Sequence, residues 1–342
     1  MPVVTFHVGM PKCATTTIQS FLAERAGWLG AQGQVYERHP DDRTRNQGNA
    51  AQLAALCAAK DLDRLTEYLR YFLRSRRDVL LSSEILFDLG REDGFAPLRD
   101  AVGQHGYDLR VLVYLKRQDL WIESDFKQHV KGRTAWVEGF DKLLQMRLSR
   151  GTLDYHRLLS NWAGQVGRDR MTVVPLNPSQ PHDYAVQRFL EVIDLPQPEG
   201  DLHVPRQNVS PPAAMIEAAR HIKAALLAQG LGPVEIAPLL AQFFTESAAE
   251  GRSGQDLGVL SPAARRDLLD RCSASNAALA ASFLGGRAPF DALGPDAEED
   301  WVSLSERAVD CLSGRVASSM LRSKPEGDAP SFLGRLQGLL RR

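Results

Sequence analysis

The chain has 342 residues, of which 44% are hydrophobic, and its 41 Lys and Arg residues nearly balance its 42 Asp and Glu residues, giving a formal net charge of -1. This composition, with a mean hydropathy of -0.26, is typical of a globular protein with a sizeable core. A charge so close to zero argues against binding of nucleic acid by a broad basic surface, so any site for an anion must be local.

The cysteines and the apolar segments indicate the cellular compartment in which the protein is expected. The four cysteines are widely spaced and form no CxxC pair, which argues against a disulfide framework or a zinc site and favours the reducing cytoplasm. The apolar run at the N-terminus has no basic residues before it and is interrupted by Gly9 and Pro11, so it predicts a buried strand, not a signal peptide. No stretch approaches the roughly 20 apolar residues of a membrane span. We therefore expect a cytoplasmic protein without an integral membrane segment.

Five short aliphatic or β-branched runs predict buried parallel strands, and helical patterns separate them. The runs are Val3–Val8, Gln34–Tyr36, Val79–Ser82, Val111–Leu115 and Thr172–Leu176. Strands that alternate with helices predict an α/β fold, a doubly wound parallel sheet flanked by helices. In such a fold the ligand binds at the carboxyl ends of the strands, where the segments following the first, third and fourth runs would meet.

The first run is followed by a bend, GMPKCATTT, that predicts a phosphate-binding loop. Small residues there lead into a predicted helix, whose first backbone N–H groups and macrodipole attract an anion. Lys12 adds a full positive charge, Ala14 allows close approach, and the threonines add hydroxyl groups. The candidate cofactor-binding residues of this loop are Gly9, Pro11, Lys12, Cys13, Ala14, Thr15, Thr16 and Thr17.

Two other interpretations of this P-loop-like bend stay open. A nucleotide-dependent phosphotransferase (kinase) would have G-x-x-x-x-G-K-[ST], whereas here Lys12 is followed by Cys13 and Ala14 and the second glycine is missing. A non-catalytic nucleotide-binding or scaffold protein would need only the turn, with its helical C-terminal half docking a partner.

The third run ends in Ser82, Ser83 and Glu84, which places a carboxylate at the same predicted edge as the loop. A carboxylate beside an anion site has a chemical use as the general base that removes the proton of an attacking hydroxyl. Two alternatives are a role in holding a magnesium-bound water and a simple helix first-turn acid.

The fourth run ends in Lys116 and Arg117, within a stretch of six basic and three acidic residues from Arg110 to Arg133. Ser124 follows eight residues after Lys116, on the next predicted helix. A strand-end cation and a helix-borne hydroxyl can converge on one phosphate. Because alternate strand residues face opposite ways, only one of the two cations should face the site.

The segment PKCATTTIQ resembles the 5′-phosphosulfate loop of the sulfotransferases, roughly P-K-x-G-T-T-x-[LI]-Q, with Ala14 replacing the glycine. The resemblance implies 3′-phosphoadenosine 5′-phosphosulfate (PAPS) as cofactor, 3′,5′-ADP as product, a hydroxyl-bearing acceptor and no required metal. It makes Lys12 the residue that balances charge on the leaving phosphate and Glu84 the catalytic base. Glu37, after the second run, is the backup base, because some members place their base there.

The resemblance also extends to later segments. In sulfotransferases an Arg and a Ser about eight residues apart clamp the 3′-phosphate, which implies that role for Lys116 or Arg117 together with Ser124. The segment LHVPRQNVSPP resembles the R-x-N-x-S segment of bacterial saccharide-modifying members, so Arg206 is expected to contact the nucleotide or an acidic acceptor. By this resemblance the acceptor is a saccharide.

We therefore expect residues 1–211 to form a PAPS-binding α/β core with a P-loop-like doubly wound sheet. Predicted helices Ala213–Gln229, Val234–Ala249 and Pro262–Phe283 form a helical extension over residues 212–290 that completes the same domain. Residues 291–342 form a partly flexible tail. Its last segment, with leucines on one face and arginines elsewhere, suggests either weak contact with an anionic membrane or a terminal helix packed on its own domain.

Overall fold

The computed structural model describes residues 1–42, 47–198, 211–249, 258–293 and 302–321. Its strands are β1 (Val3–His7), β2 (Gln34–Val35), β3 (Asp78–Ser82), β4 (Asp108–Lys116) and β5 (Met171–Leu176). They form one sheet in the order β2-β3-β1-β4-β5, and every neighbouring pair is parallel. The predicted α/β fold with a parallel sheet is confirmed, and each of the five predicted runs overlaps one strand.

Helices flank this sheet, as predicted. Those of the first 200 residues are α1 (Thr15–Glu24), α2 (Ala26–Ala31), α3 (Ala51–Ala58), α4 (Leu62–Leu73), α5 (Ala96–Gln104), α6 (Gln118–Lys131), α7 (Phe140–Ser149), α8 (Tyr155–Val166) and α9 (Tyr184–Val192). In α4, Leu65, Leu69 and Phe72 recur on one helix face and are buried. The side chain of Asp61 caps α4 by accepting the amide of Arg64. The alternation of strands and helices is consistent with a doubly wound arrangement.

The strand order decides which loops meet. β1 lies between β3 and β4, and its last residue, His7, pairs with Ser82 on one side and Leu112 on the other. β4 continues beyond Leu112 to Lys116, still paired with β5. At about 3.3 Å per residue, β4 extends about 13 Å past the end of β1. The loop after β1 therefore runs beside the last residues of β4.

The chain divides into two compact units. The first contains the whole sheet and comprises residues 1–121, 151–207 and 271–292, and the second comprises residues 122–150, 208–270 and 293–342. The remaining helices are α10 (Ala213–Ala228), α11 (Pro233–Ala249), α12 (Pro262–Phe283) and α13 (Leu304–Leu321). In the second unit, α10 packs against α11 and α13. The three helices predicted after residue 212 are confirmed, and the amphipathic segment at the end of the tail lies outside the described residues.

Aromatic rings pack in the core of the first unit. Phe6 of β1 meets Phe95 edge-on, with ring centroids 5.0 Å apart, and Phe95 meets Trp162 at 4.9 Å. All three are fully buried or nearly so, which fixes β1 against its covering helices.

Within the ranges that the structure describes, no helix combines the length and apolar character needed to cross a bilayer.

Candidate active site

The loop between β1 and α1 has the backbone geometry of an anion cradle. Lys12 (φ 68°) and Ala14 (φ 58°) are in the left-handed region, and Cys13 between them is not. Such alternation is typical of backbone nests, in which N–H groups form a concave, positively polarised surface. Within this loop the Cys13 amide donates to the carbonyl of Met10 at 3.2 Å. α1 begins directly afterwards at Thr15, and the side chain of Ala14 offers no cap to its first amides. A helix start without a side-chain cap can bind an anion through its first backbone N–H groups.

Close packing at Gly9 and a hydrogen bond at Pro11 set the shape of the loop. A Cβ atom at Gly9 would lie 2.4 Å from Cγ2 of Thr15 and 2.9 Å from Nε2 of His7, so only glycine fits. The carbonyl of Pro11 accepts the indole N–H of Trp121 at 2.8 Å, which ties the loop to the first turn of α6. The loop is thus fixed against His7 of β1 and against Trp121 of α6.

Glu84 lies beside the first residue of α1. The Thr15 hydroxyl donates to Oε2 of Glu84 at 3.2 Å. Thr15 is buried, and Glu84 is half-buried at the start of a 3₁₀ turn that Ser83 caps by accepting the amide of Ile85. The carboxylate is thus within hydrogen-bond reach of the helix start where the loop would hold an anion. It is in a position to accept a proton from a group bound there.

Of the two cations at the end of β4, Lys116 borders the loop. Burial raises the pKa of the Cys13 thiol to about 12, while the positive charge of Lys116 and a hydrogen bond from its backbone act in the opposite direction. Lys116 therefore lies close to the loop residue Cys13. Arg117 is 9% exposed, pairs with both carboxylate oxygens of Asp119 at 2.8 and 3.0 Å, and donates to the carbonyl of Asp291 at 2.9 Å. Its guanidinium is therefore engaged in hydrogen bonds within the protein.

The remaining candidates are placed differently. Glu37 follows β2, and its carboxylate forms an ion pair with Arg74 at 2.5 Å. Ser124 is half-buried on α6 and belongs to the second unit, and Arg206 lies outside the described residues. The structure thus brings together the loop from Gly9 to Thr17, Glu84 and Lys116.

The sequence analysis missed His7, a polar residue directly beneath the loop. It is 1% exposed, and its Nδ1 lies 2.9 Å from the Ser82 hydroxyl, which also accepts from the Gln19 amide at 3.2 Å. Burial lowers the pKa of His7 to about 3, so the ring is neutral. Its Nε2 has no hydrogen-bond partner in the described part of the chain. In the sequence, the feature that could have pointed to His7 is a histidine within an otherwise apolar predicted strand.

Asn49 is a second residue that the sequence analysis missed. It is fully buried, and its amide donates to the carbonyls of Glu37 and Leu80, both at 2.9 Å, while it accepts the Ser82 amide at 2.8 Å. It thereby joins the ends of β2 and β3. The preceding Gly48 has φ 81° and approaches the Ser82 carbonyl so closely that a Cβ would lie 2.0 Å from it. In the sequence, the feature that could have pointed to this residue is the Gly48-Asn49 pair.

Comparisons with protein-family models, with curated proteins and with solved structures found no match. The chemistry of this site therefore has to be argued from its own residues. Over the described ranges, no group of three or more His, Cys, Asp or Glu side chains is arranged to hold a metal ion. The site combines an amide-lined loop, two lysines and one carboxylate, a set suited to binding phosphate-like anions and moving a proton beside them.

Proposed function

We propose that this protein is a PAPS-dependent sulfotransferase with a P-loop-like nucleotide site, acting on an acceptor hydroxyl, in particular that of a saccharide. The observation that carries the proposal is the meeting of the Lys12 loop, Glu84 and Lys116 at one edge of the sheet. The choice of PAPS over another phosphate ester depends on the resemblance of PKCATTTIQ to the phosphosulfate loop.

The loop residues fit the phosphosulfate end of this cofactor. The left-handed residues Lys12 and Ala14 give the loop the backbone alternation that is typical of anion-binding nests. Amides at a helix start and a lysine together stabilise a sulfate or phosphate group. When bound, PAPS would supply the sulfuryl group by in-line transfer to the acceptor oxygen, with 3′,5′-ADP as product.

Each protein group then has a defined role. Lys12 and the first amides of α1 balance the negative charge that grows on the leaving phosphate, an effect worth a few kcal/mol for each donor. Glu84 accepts the proton of the acceptor hydroxyl, which typically adds about 10²–10⁴-fold in rate. The Thr15 hydroxyl, which donates to Glu84, fixes the carboxylate next to the helix start. Lys116 is the cation proposed for the 3′-phosphate.

The first test is ligand-dependent thermal unfolding of the full chain with 3′,5′-ADP, ADP and AMP. We expect 3′,5′-ADP to stabilise most, by about 2.7 kcal/mol at a concentration 100 times its Kd. Lys12→Ala should remove this stabilisation, and Lys60→Ala, at an exposed lysine after the C-terminal end of α3, should retain it. Equal stabilisation by all three nucleotides would contradict the proposed cofactor, and magnesium-dependent ATP consumption would favour a phosphotransferase.

The second part of the test concerns the base. Glu84→Gln should lower turnover with PAPS by about 10²-fold or more, because the amide cannot take a proton, while 3′,5′-ADP affinity stays within about twofold. Glu37→Gln serves as the matched variant, since that carboxylate is paired with Arg74. Full turnover in Glu84→Gln together with loss in Glu37→Gln would move the base to Glu37. Cofactor binding without transfer to any of a broad panel of acceptors would indicate a binding protein.

A further inference from the structure

A cavity of about 450 Å³ lies next to the segment that follows β2. Its lining residues are His39, Asp41, Gln52, Leu56, Arg64, Glu67 and Tyr68. Small-molecule sites usually measure about 300–1,000 Å³, so this cavity is large enough for a ligand of one or two rings. None of its residues belongs to the proposed cofactor site.

The cavity is on the same edge of the sheet as Glu84. Asn49 joins the ends of β2 and β3, and the amide of the next residue, Ala50, donates to the carbonyl of Ser82 at 3.2 Å. α3 starts immediately afterwards, and Gln52 in its first turn lines the cavity. Glu84 is two residues beyond Ser82. The Gly48–Ala50 segment therefore connects the strand end that carries the proposed base to α3, whose first turn lines the cavity.

One wall of the cavity is aromatic and has a hydroxyl without a partner. The His39 ring stacks on Tyr68, with centroids 3.8 Å apart and planes 19° from parallel, and Tyr71 meets His39 edge-on at 4.7 Å. Tyr68 is 8% exposed, and its hydroxyl has no hydrogen-bond partner among the described residues. A buried hydroxyl in that state is destabilising. Its oxygen is shielded in this structure, so a ligand hydroxyl would reach it with a movement of the surrounding side chains, and the new bond would remove the penalty.

The tyrosine hydroxyl stays a neutral donor. Burial raises the pKa of Tyr68, and the carboxylates of Asp42 and Asp41 raise it further. Nδ1 of His39 accepts the backbone amide of Asp41 at 3.1 Å, so a neutral His39 ring carries its proton on Nε2. The aromatic wall of the cavity therefore carries two hydrogen-bond donors, the Tyr68 hydroxyl and the His39 Nε2–H, and adds no negative charge.

The charged residues of the lining discriminate between ligand classes. Asp41 and Glu67 contribute two carboxylates, Arg64 contributes one guanidinium, and Gln52 contributes an amide. Carboxylates and amides accept from and donate to hydroxyl groups, and an amine on the ligand would add an attraction to the carboxylates. Among the described lining residues, a ligand carboxylate would face more negative than positive charge.

From these contacts we infer that the cavity is a saccharide subsite that binds a neutral or amino sugar and disfavours uronic acids. Its role as the acceptor subsite depends on the proposed sulfuryl transfer, but sugar binding itself does not. The aromatic wall matches the apolar face of a sugar ring, and the carboxylates, the amide and the tyrosine hydroxyl match the hydroxyls on its rim.

Isothermal titration of the full chain with three disaccharides tests this inference. The probes are N,N′-diacetylchitobiose, which is neutral, its doubly deacetylated cationic form, and digalacturonate, which is anionic. We expect the first two to bind and digalacturonate to bind at least tenfold more weakly. Glu67→Gln should weaken binding of the cationic probe at least fivefold, and Glu24→Gln, at an exposed carboxylate at the end of α1, should leave it unchanged.

Tyr68→Phe separates a binding role from a structural one. Because the hydroxyl has no partner among the described residues, its removal should leave the unfolding midpoint unchanged or raised, whereas affinity for the neutral disaccharide should fall severalfold. Absence of binding by all three probes, tighter binding of digalacturonate, or unchanged affinity in both cavity variants would each overturn the inference.

Titration of 3′,5′-ADP against the same proteins distinguishes this inference from the proposed function. Lys12→Ala should lose nucleotide binding and keep disaccharide binding. Glu67→Gln and Tyr68→Phe should keep nucleotide binding and weaken binding of the cationic and the neutral disaccharide, respectively. If the unmodified chain binds no 3′,5′-ADP but binds sugars through the cavity, the sulfotransferase proposal fails and the saccharide subsite stands.

Discussion

His7 is an ionisable residue in a strand interior, and its surroundings make it sensitive to acid. It contacts Tyr114 and Phe189 edge-on, with centroids 5.3 and 5.9 Å away, and lies next to Gly9 of the loop between β1 and α1. Burial lowers its pKa from 6.5 to about 3, because the apolar surroundings disfavour the charged ring. The unfolded chain therefore takes up a proton at a higher pH than the folded chain does.

We predict that His7→Gln makes the free energy of unfolding less sensitive to acid. The neutral ring stabilises the fold fully above the unfolded pKa of 6.5, and this contribution is lost as the pH falls from there toward about 3. At pH 5 the loss is about 2 kcal/mol, since each pH unit corresponds to about 1.4 kcal/mol. Urea unfolding at pH 7 and pH 5 measures the difference for each protein.

His182→Gln is the matched control, because His182 is exposed. It should keep the full pH dependence of the unmodified chain, whereas His7→Gln should lose about 2 kcal/mol of it. Parallel pH profiles for the unmodified chain and His7→Gln would mean that His7 is protonated in the folded state or accessible to water.

The left-handed conformation of Ala14 could not be predicted from the residue type. In the sequence, Ala14 stands out only as a small side chain in place of a glycine. An L-residue in this region costs roughly 1–2 kcal/mol, so local preference alone would have argued against it. Such strain persists where surrounding contacts dictate the backbone, and it concentrates at binding loops. Here the Trp121 bond to Pro11 and the packing at Gly9 supply those contacts.

At the level of elements, apolar runs predicted the strands but not their full lengths. Val111–Leu115 was predicted for the fourth strand, whereas β4 runs from Asp108 to Lys116. The missed residues include Arg110, whose charge conceals the strand in the sequence. In the fold it donates to the carbonyl of Val192 and lies 3.8 Å from Asp194. A charged strand residue whose partners are distant in the sequence adds nothing to the apolar pattern that predicts a strand.

The choice between Lys116 and Arg117 shows a second limit. Alternation along the strand predicted that only one of them would face the site, but not which one. The answer depends on Asp119, which binds the Arg117 guanidinium, and on the carbonyl of Asp291, far away in the sequence. Local pattern specifies the chemistry available at a strand end, and contacts made in the fold decide that Arg117 is engaged within the protein.

The C-terminal end of α6 is stabilised by Lys223, a buried lysine of α10. Its ammonium donates to the carbonyls of His129, Val130 and Gly132 at 3.3, 3.0 and 3.1 Å. The last carbonyls of a helix have no partner within it, so they need donors from elsewhere. A cation there also interacts favourably with the negative end of the helix dipole. This contact lies within the second unit.

We predict that Lys223→Met destabilises the protein by about 2–3 kcal/mol, because three carbonyls lose a charged donor while the side chain keeps a similar volume. Denaturant unfolding followed by circular dichroism measures the change. Lys142→Met, at an exposed lysine of α7, is the control and should fall within about 0.5 kcal/mol of the unmodified chain. A loss as small as that of the control would show that water can replace the ammonium.

For the molecule as a whole, the sheet order was the decisive property that the sequence could not provide. The aliphatic runs predicted five parallel strands, but the meeting of three loops requires β1 between β3 and β4. That order places the Lys12 loop between Glu84 on one side and Lys116 on the other. Because the net charge is only -1, attraction of the proposed anionic nucleotide would have to come from this local arrangement and not from the overall field.

The dependence of 3′,5′-ADP affinity on salt tests this local attraction, given the proposed nucleotide site. Raising NaCl from about 0.05 to about 0.5 M shortens the Debye length from about 14 to about 4 Å, so the affinity should fall about three- to tenfold. Titration calorimetry of Lys116→Ala should give weaker binding with a shallower salt dependence, because one of the two site cations is gone. Lys60→Ala makes the same change in net charge at an exposed position after α3 and should keep the original dependence. If both variants lowered it equally, the overall charge and not the site would be guiding the nucleotide.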